Sequence, residues 1–223
     1  MTTPLPHPQP RWHRRPEDRP EEILSAAIGV FGEVGFARAK LEDVAKRAGV
    51  SKGTLYLYFD SKESLFREMI RTRVVSHVQR MEALLEESQG TARQRLEQYI
   101  RRWWEVAQHP DMIGISRLVG SEIGNFPELA RFFNDEVVAR NRRLAKTIFD
   151  LGVARGEFQP MANDFPSWAV GSLVFHGAMR QRLFAPHDPN ALTDDQFVDG
   201  IVELIYRSVA APAPADPLRG TTP

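Results

Sequence analysis

The sequence contains no cysteine and no long hydrophobic run. The absence of cysteine excludes disulfides, thiolate metal sites and cysteine catalysis, and it fits a reducing compartment. No apolar segment approaches the roughly 18 residues that a membrane-spanning helix needs. The N-terminal segment "MTTPLPHPQPRWHRRPEDRP" has prolines and charges where a signal peptide would be apolar. We therefore expect a cytoplasmic protein that has no contact with the membrane.

The sequence also lacks net charge, because 29 basic residues balance 29 acidic residues over 223 positions. This balance argues against indiscriminate binding to nucleic acid. The charge is unevenly placed, however, and residues 38–52 carry a net charge of +3. A local basic face can bind phosphate groups even when the whole protein is neutral.

Signatures of catalysis are missing as well. The segment "VGSEIG" is not a nucleophile elbow, which requires Gly-x-Ser-x-Gly, and the chain has no Gly-x-x-x-x-Gly-Lys phosphate loop. His109 and Asp111 lie in one turn and His187 and Asp188 in another, without the spacing of metal ligands on a shared helix. We predict that the protein is not an enzyme and has no metal site and no cofactor.

Helical periodicity, in contrast, runs through most of the chain. Apolar residues from Ile23 to Val34 recur at the spacing of one helical face, and no segment shows convincing strand alternation. The predicted helices start near Asp18 and then cover about 41–48, 51–58, 61–87, 91–108, 111–123, 127–155, 165–184 and 194–209. This pattern predicts an all-α fold with a three-helix N-terminal domain and a larger helical C-terminal domain.

Four regions follow from this pattern. They are a disordered tail at 1–16, an N-terminal domain at 17–77, a C-terminal domain at 78–210 and a disordered tail at 211–223. The first tail carries Arg11, Arg14 and Arg15, which either remain solvated or touch DNA phosphates.

The segment "VAKRAGVSKGTLYLYF", from Val44 to Phe59, predicts two short helices joined by a tight turn at Gly49. Ser51 is suited to cap the second helix, whose apolar side is formed by Leu55 and Phe59. The other side carries a cation, a hydroxyl group and two phenols. A helix of this kind fits the major groove of DNA, although a solvated helix face is the alternative interpretation.

The segments "ILSAAIGVFGEVGF", "VAKRAGVSKGTLYLYF" and "SKESLF", in this order and spacing, resemble the DNA-binding domain of the TetR family of bacterial regulators. The resemblance implies a homodimer that binds double-stranded operator DNA through a helix-turn-helix at 40–59. It also implies a C-terminal domain that dimerises and binds a small apolar or amphipathic effector. Carried over position by position, the DNA contacts are Ser51, Lys52, Gly53, Thr54, Tyr56, Tyr58 and Lys62.

The start of the second helix departs from the family pattern. Ala39 and Lys40 stand where Thr followed by Ser or Thr is usual, so the hydroxyl cap and its phosphate contact are missing. We expect Lys40 to replace this contact by charge, and Leu57 to meet a thymine methyl group or nothing. The predicted function is a ligand-released repressor. The alternatives are an activator, a ligand-independent regulator, and a helical interaction module that has lost DNA binding.

The C-terminal domain carries weaker signals. The candidate lining of an effector pocket is Trp103, Trp104, Ile115, Phe133, Phe175, His176 and Met179, and ordinary core packing is the alternative for each. Arg117, Glu122 and Asn141 are candidate polar anchors. The apolar helices at 165–184 and 194–209 are candidates for dimerisation, with Gly171, Ala178, Ile201 and Ile205 at the interface. Residues 61–87 are expected to form one long helix that acts as a lever between the second helix of the helix-turn-helix, which is the recognition helix, and this pocket.

Overall fold

A computed structural model describes residues 19–211, and this part of the chain folds into eleven α-helices. They are α1 (Arg19–Val34), α2 (Leu41–Ala48), α3 (Lys52–Tyr58), α4 (Lys62–Ile70), α5 (Ser76–Glu87), α6 (Ala92–Gln108), α7 (Pro110–Ser121), α8 (Pro127–Phe133), α9 (Ala139–Ala154), α10 (Phe165–Phe184) and α11 (Asp194–Val209). An isolated antiparallel bridge between Phe158 and Ala210 is the one β feature of the described residues. The predicted all-α fold is confirmed.

The predicted helix boundaries agree closely for α2, α3, α6, α10 and α11. Glu21 and Glu22 lie in the first turn of α1, as expected, whereas Asp18, the arginines of the N-terminal tail and both predicted disordered tails fall outside the described residues, Ala211 excepted. The predictions of one helix at 61–87 and one at 127–155 were wrong in one respect. Each is divided by a π-helical segment, at Arg71–Val75 and at Asn134–Val138. Apolar spacing does not reveal such a turn, since the buried positions continue through it.

Side-chain caps fix the starts of the helices around the predicted helix-turn-helix. The Ser51 hydroxyl accepts a hydrogen bond from the Thr54 amide (3.0 Å), and Ser61 and Ser64 form a reciprocal capping box. Gly49 ends α2 with a φ of 67°, a conformation that glycine adopts without strain. The N-cap of α2 is Lys40, which provides no side-chain cap, so the predicted loss of the hydroxyl cap is confirmed.

Two hydrophobic cores organise the described residues. The first core contains residues of α1, α2, α3 and α4 together with residues of α7 and α8, among them Met112, Ile115 and Phe132. The second packs the end of α5 against α6, α9, α10 and α11. The N-terminal helices therefore share their core with two helices of the C-terminal domain, although the predicted boundary at residue 77 would separate them. None of the helices described between residues 19 and 211 is both long and apolar enough to span a membrane.

Candidate DNA-binding surface and internal cavity

Helix α3 has the two-sided character that its sequence predicts. Leu55 is fully buried and Phe59 nearly so, which anchors the helix on the first core. Tyr56 and Tyr58 are 44% and 41% exposed, and Leu57, at 83%, is the most exposed large apolar side chain of the described residues. The exposed side of α3 is therefore accessible to a partner, and a single helix of this kind fits the major groove of DNA.

Lys52 on this surface is paired with Glu42 of α2. Its ammonium group forms an ion pair with the Glu42 carboxylate and lies 5.7 Å from the centre of the Tyr56 ring. The hydrogen bond between the Lys52 ammonium group and the Glu42 carboxylate lowers the pKa of Glu42 and raises the pKa of Lys52. Nothing in the spacing of the sequence indicates this pair. A DNA phosphate would have to compete with Glu42 for the cation.

Gly53 leaves open space at the start of α3. A Cβ atom placed there would have only Ser51 Oγ within 4 Å, at 3.8 Å. The hydroxyl groups of Ser51 and Thr54 lie beside it and are hydrogen-bonded to each other (2.8 Å). The backbone at this point is thus accessible to a molecule that approaches the helix closely.

The two lysines predicted to contact phosphate have different surroundings. Lys40 is exposed at the start of α2. Lys62, in contrast, donates hydrogen bonds to the carbonyl oxygens of Phe36 (2.7 Å), Ala37 (2.9 Å) and Ala39 (3.5 Å), and it lies over the Phe36 ring. An ammonium group has three N–H donors, so these bonds occupy all of them. This geometry argues against a phosphate contact by Lys62 and favours a role in fastening the loop between α1 and α2.

A cavity of about 310 Å³ lies in the C-terminal domain, between α6, α7, α9, α10 and the two π-helical segments. Of the predicted lining residues, Trp103, Phe133, Phe175 and His176 border it. Three others do not, and for them the prediction was wrong. Trp104 stacks on Phe197, Ile115 is buried in the first core, and Met179 borders a separate cavity of about 30 Å³.

Polar groups are few in the wall of the larger cavity. The Tyr99 hydroxyl donates a hydrogen bond to the backbone carbonyl of Asn141 (3.1 Å), and burial raises the pKa of Tyr99. The Asn141 side-chain oxygen is buried and has no hydrogen-bond partner among the described residues, so this predicted anchor lies at the cavity. The other two predicted anchors lie elsewhere: Arg117 borders the smaller cavity, and Glu122 accepts a hydrogen bond from the Ala37 amide (3.0 Å).

The cavity opens to solvent beside α10, where the lining residues Trp168, Ser172 and His176 are exposed. Arg142 of α9 is at the same opening. Its guanidinium lies 4.7 Å from the centre of the Trp168 ring and 3.9 Å from the Asp164 carboxylate. The Nδ1 atom of His176 lies 3.0 Å from the carbonyl oxygen of Ser172 and must donate, because a carbonyl only accepts.

The wall of the cavity is connected directly to α1. Val74 and Met112 line the cavity, and each is adjacent in sequence to a charged residue, Arg73 and Asp111. The Arg73 guanidinium pairs with Asp111 (3.2 Å) and with Glu21 of α1. It also donates a hydrogen bond to the hydroxyl group of Ser25 in α1 (2.8 Å). These contacts join residues far apart in sequence, and no local pattern predicts them.

Three of the four residues predicted at a dimer interface are inside the chain's own second core. Ala178, Ile201 and Ile205 are buried there, and Gly171 lies at the cavity opening, so the prediction was wrong for the first three. Gly177 of α10 serves packing within the chain, since a Cβ there would lie 2.5 Å from the Phe197 ring. The exposed apolar residues of α10 and α11, other than Trp168 at the cavity opening, are Phe165, Met179, Leu183, Phe184 and Leu204.

A short helix-turn-helix that exposes cationic and phenolic side chains, joined to a helical domain with an internal cavity, is the arrangement of a ligand-binding DNA-binding protein. The family described as bacterial regulatory proteins, tetR family, matches residues 23–69, and the tetracyclin repressor-like C-terminal domain matches residues 86–205. The chain belongs to the TetR family of transcriptional regulators. It is therefore a helix-turn-helix regulator and not an enzyme, as its sequence predicts.

Curated relatives agree with this assignment. The chain is 35% identical over 75 residues to the fatty acid metabolism regulator protein of Bacillus subtilis, covering 34% of this chain and 38% of that protein. It is 32% identical over 117 residues to the transcriptional regulator RutR of Escherichia coli, covering 52% of this chain and 47% of RutR. The matched segments thus span less than half the length of either relative.

The fold is shared with solved structures over a longer range. The regulator FadR of Bacillus subtilis in complex with stearoyl-CoA superposes with a TM-score of 0.68 at 20% identity, covering 83% of this chain and 97% of FadR. At this level of identity the likeness shows the fold alone.

Proposed function

We propose that the protein is a homodimeric repressor, acting in the cytoplasm, that a small apolar or amphipathic effector releases from operator DNA. The observation that carries this proposal is the contact between the cavity wall and α1. Val74 and Met112 line the cavity, while their neighbours Arg73 and Asp111 form the ion pair that also holds Glu21. A molecule that changes the cavity wall therefore acts on the helix against which α2 packs.

Operator DNA would be read by α3 lying in a major groove, which is about 12 Å wide and admits one helix. The exposed residues of α3 and its cap supply the proposed contacts, and Lys40 at the start of α2 supplies a phosphate contact. The contact residues that we propose are Lys40, Ser51, Lys52, Gly53, Thr54, Tyr56 and Tyr58. Lys62 is assigned a positioning role, because its ammonium group is bonded to three carbonyl oxygens.

Dimerisation would use the exposed apolar surface of α10 and α11. Five large apolar side chains of these helices are exposed apart from Trp168, among them Phe184 and Leu204 at 60% each, and exposed apolar side chains that cluster mark a protein contact. A second copy of the chain would present the same surface by two-fold symmetry. The two recognition helices would then enter successive major grooves about 34 Å apart.

Release of DNA follows from coupling between the two sites. An effector that fits only one arrangement of Val74 and Met112 would favour one position of the Arg73 side chain and hence of α1. By linkage, the factor by which effector weakens operator binding equals the factor by which operator weakens effector binding. Ligand affinity measured with and without saturating operator tests this equality.

The proposed DNA binding is tested with the full-length protein and a library of random duplexes. A palindromic selected site, with affinity that falls steeply as salt rises, supports the proposal. Selection of no sequence would support the helical interaction module instead. In a deletion strain, a rise in expression of the genes beside the selected site indicates repression, and a fall indicates activation.

The effector is sought by a thermal-shift screen, because a ligand of the folded state raises the melting temperature by mass action. Hits are then tested for release of operator DNA. Long-chain acyl compounds belong in this screen, since stearoyl-CoA accompanies the FadR neighbour. A hit that stabilises the protein without affecting operator affinity would argue for ligand-independent regulation.

A further inference from the structure

The larger cavity has an apolar interior and a polar opening. Its deep walls include Val74, Met112, Val137 and Val174, all of them buried. The Tyr99 hydroxyl is satisfied by a backbone carbonyl. The Asn141 side-chain oxygen and the Trp103 indole N–H are the polar side-chain atoms of the lining that are buried without a partner among the described residues. An occupant must therefore place an apolar body inside, because each polar group buried without a hydrogen bond is costly.

Among the residues that line the opening, Arg142 carries a permanent positive charge. None of the described residues that line the cavity is Asp or Glu. Arg142 forms a long ion pair with Asp164, at 3.9 Å, and the two side chains are 36% and 43% exposed. Such a long, solvated pair holds a guanidinium only weakly. Arg142 is thus free to exchange Asp164 for a better-placed anion.

The ring of Trp168 keeps this cation at the opening. The guanidinium lies against the indole at 4.7 Å, a cation–π contact that positions the planar group without using its N–H donors. These groups can donate two parallel hydrogen bonds to a carboxylate. His176 Nε2 and the Ser172 hydroxyl are further polar groups on the α10 side of the same opening.

We propose that the effector of this cavity is an amphipathic anion, with an apolar body in the interior and a carboxylate held by Arg142 at the opening. The inference rests on the proposed function, because it names the chemical class of that effector. The aromatic walls could in principle attract a cation. A cation, however, would find no carboxylate among the described lining residues and would face Arg142, so the charge balance disfavours it.

Three probes that share one decyl chain test the assignment: decanoate, decanol and decyltrimethylammonium. Each is titrated calorimetrically into the full-length protein, without DNA and below its micelle concentration. Decanoate is expected to bind about tenfold or more tightly than the other two probes. Hydrogen bonds between charged groups are stronger than neutral ones, and about 1.4 kcal/mol of binding free energy corresponds to a tenfold change in affinity. Tighter binding of decanol or of the ammonium, or no binding of any probe, would overturn the proposal.

Two variants on adjacent positions separate the site from general charge. Arg142→Gln is expected to lower decanoate affinity by about tenfold and to leave decanol affinity unchanged. Arg143→Gln is the matched control, because Arg143 is exposed on the same helix and does not line the cavity. It should leave the binding of both probes as in the wild type. Equal losses in the two variants would contradict an Arg142 site.

Operator binding is measured separately, so that the two proposals fail independently. Decanoate binding that depends on Arg142 supports the anion site whether or not DNA is released. If operator binds well and decanoate does not release it, the effector role fails while the site stands. If decanoate shows no preference over decanol, the anion proposal fails while the regulator remains.

Discussion

The Nε atom of Arg73 lies 3.2 Å from a carboxylate oxygen of Asp111, across the junction between the DNA-binding helices and the C-terminal domain. Arg73 belongs to the π-helical segment after α4, and Asp111 to the first turn of α7. The Arg73 and Asp111 side chains are only 20% and 28% exposed, so solvent screens the pair incompletely. Because Glu21 shares the same guanidinium, three elements meet at one cation.

We predict that Arg73 and Asp111 are energetically coupled. In a double-mutant cycle with Arg73→Gln and Asp111→Asn, the coupling in the free energy of unfolding should be about 1 kcal/mol, as for contacting charges in a network. The measurement is urea unfolding of the four proteins. The exposed i,i+4 pair Lys146–Asp150 is the control and should give about 0.3–0.5 kcal/mol. A coupling at Arg73 no larger than this control would remove the structural basis for communication between the cavity and α1.

Gly53→Ala should raise stability and weaken DNA binding. Alanine is favoured over glycine in a helix by roughly 0.5–1 kcal/mol, and the added methyl group meets only Ser51 Oγ at 3.8 Å. The same methyl group would project from the surface that approaches DNA and would keep the backbone away from it. Thermal unfolding and operator titration of one protein sample measure the two effects. Unchanged operator affinity would show that DNA does not approach α3 at this point.

Glu42→Gln should strengthen operator binding. The change removes the carboxylate that pairs with Lys52 and leaves the lysine free for a phosphate. We expect affinity to rise several-fold and the salt dependence to steepen by about one phosphate contact. Asp43→Asn makes the same charge change on α2 without touching Lys52 and serves as the control. If both variants gain equally, the gain reflects net charge and not release of Lys52.

Lys62→Met should lower stability. Its ammonium group is bonded to three carbonyl oxygens of the α1–α2 loop, and a hydrogen bond to a charged group contributes about 1.5–3 kcal/mol. Lys40→Met is the comparison: it should reduce operator affinity and leave the urea midpoint near that of the wild type. If the Lys62→Met protein has full stability and binds DNA weakly, the result would instead support the phosphate contact that the family resemblance implies.

Leu204→Glu should convert the proposed dimer into a monomer that keeps its fold. Leu204 is 60% exposed on α11, so a charge there does not disturb the core of its own chain but would be buried unpaired between two copies. Sedimentation velocity measures the mass, and circular dichroism measures the helix content. Leu192→Glu, also at an exposed leucine but outside α10 and α11, is expected to remain dimeric. Dimers of Leu204→Glu would place the interface elsewhere.

Local signals in the sequence predicted most of the fold. Ser51 and Gly49 act through their immediate neighbours, as a cap and as a left-handed turn, and both were found where they were expected. Long-range partners were not predictable in this way. The carbonyl oxygens that bind Lys62 are 23 to 26 positions away in the chain, and their convergence depends on how α1 and α4 pack.

Two neighbouring tryptophans show why the lining of the cavity could not be predicted from the sequence. Trp103 and Trp104 are successive residues on α6 and therefore point about 100° apart. Trp103 borders the cavity, while Trp104 packs against Phe197 of α11. Both choices are compatible with the helical pattern, because α6 is covered by other helices on more than one side. Only the packing of those helices decides which indole borders the cavity.

The π-helical segment Arg71–Val75 gives α4 and α5 different rotational phases. A turn that holds one extra residue rotates everything beyond it by about 100° relative to a continuous α-helix. Leu65 and Ile70, before the segment, face the first core, whereas Met81 and Leu85, after it, face the second. The continuous helical element from α4 to α5 thus contributes to two cores that lie on different sides of it. Deleting a single residue within the segment would rotate α1, α2, α3 and α4 relative to α5. It would thereby turn them away from α7 and α8, with which they share the first core.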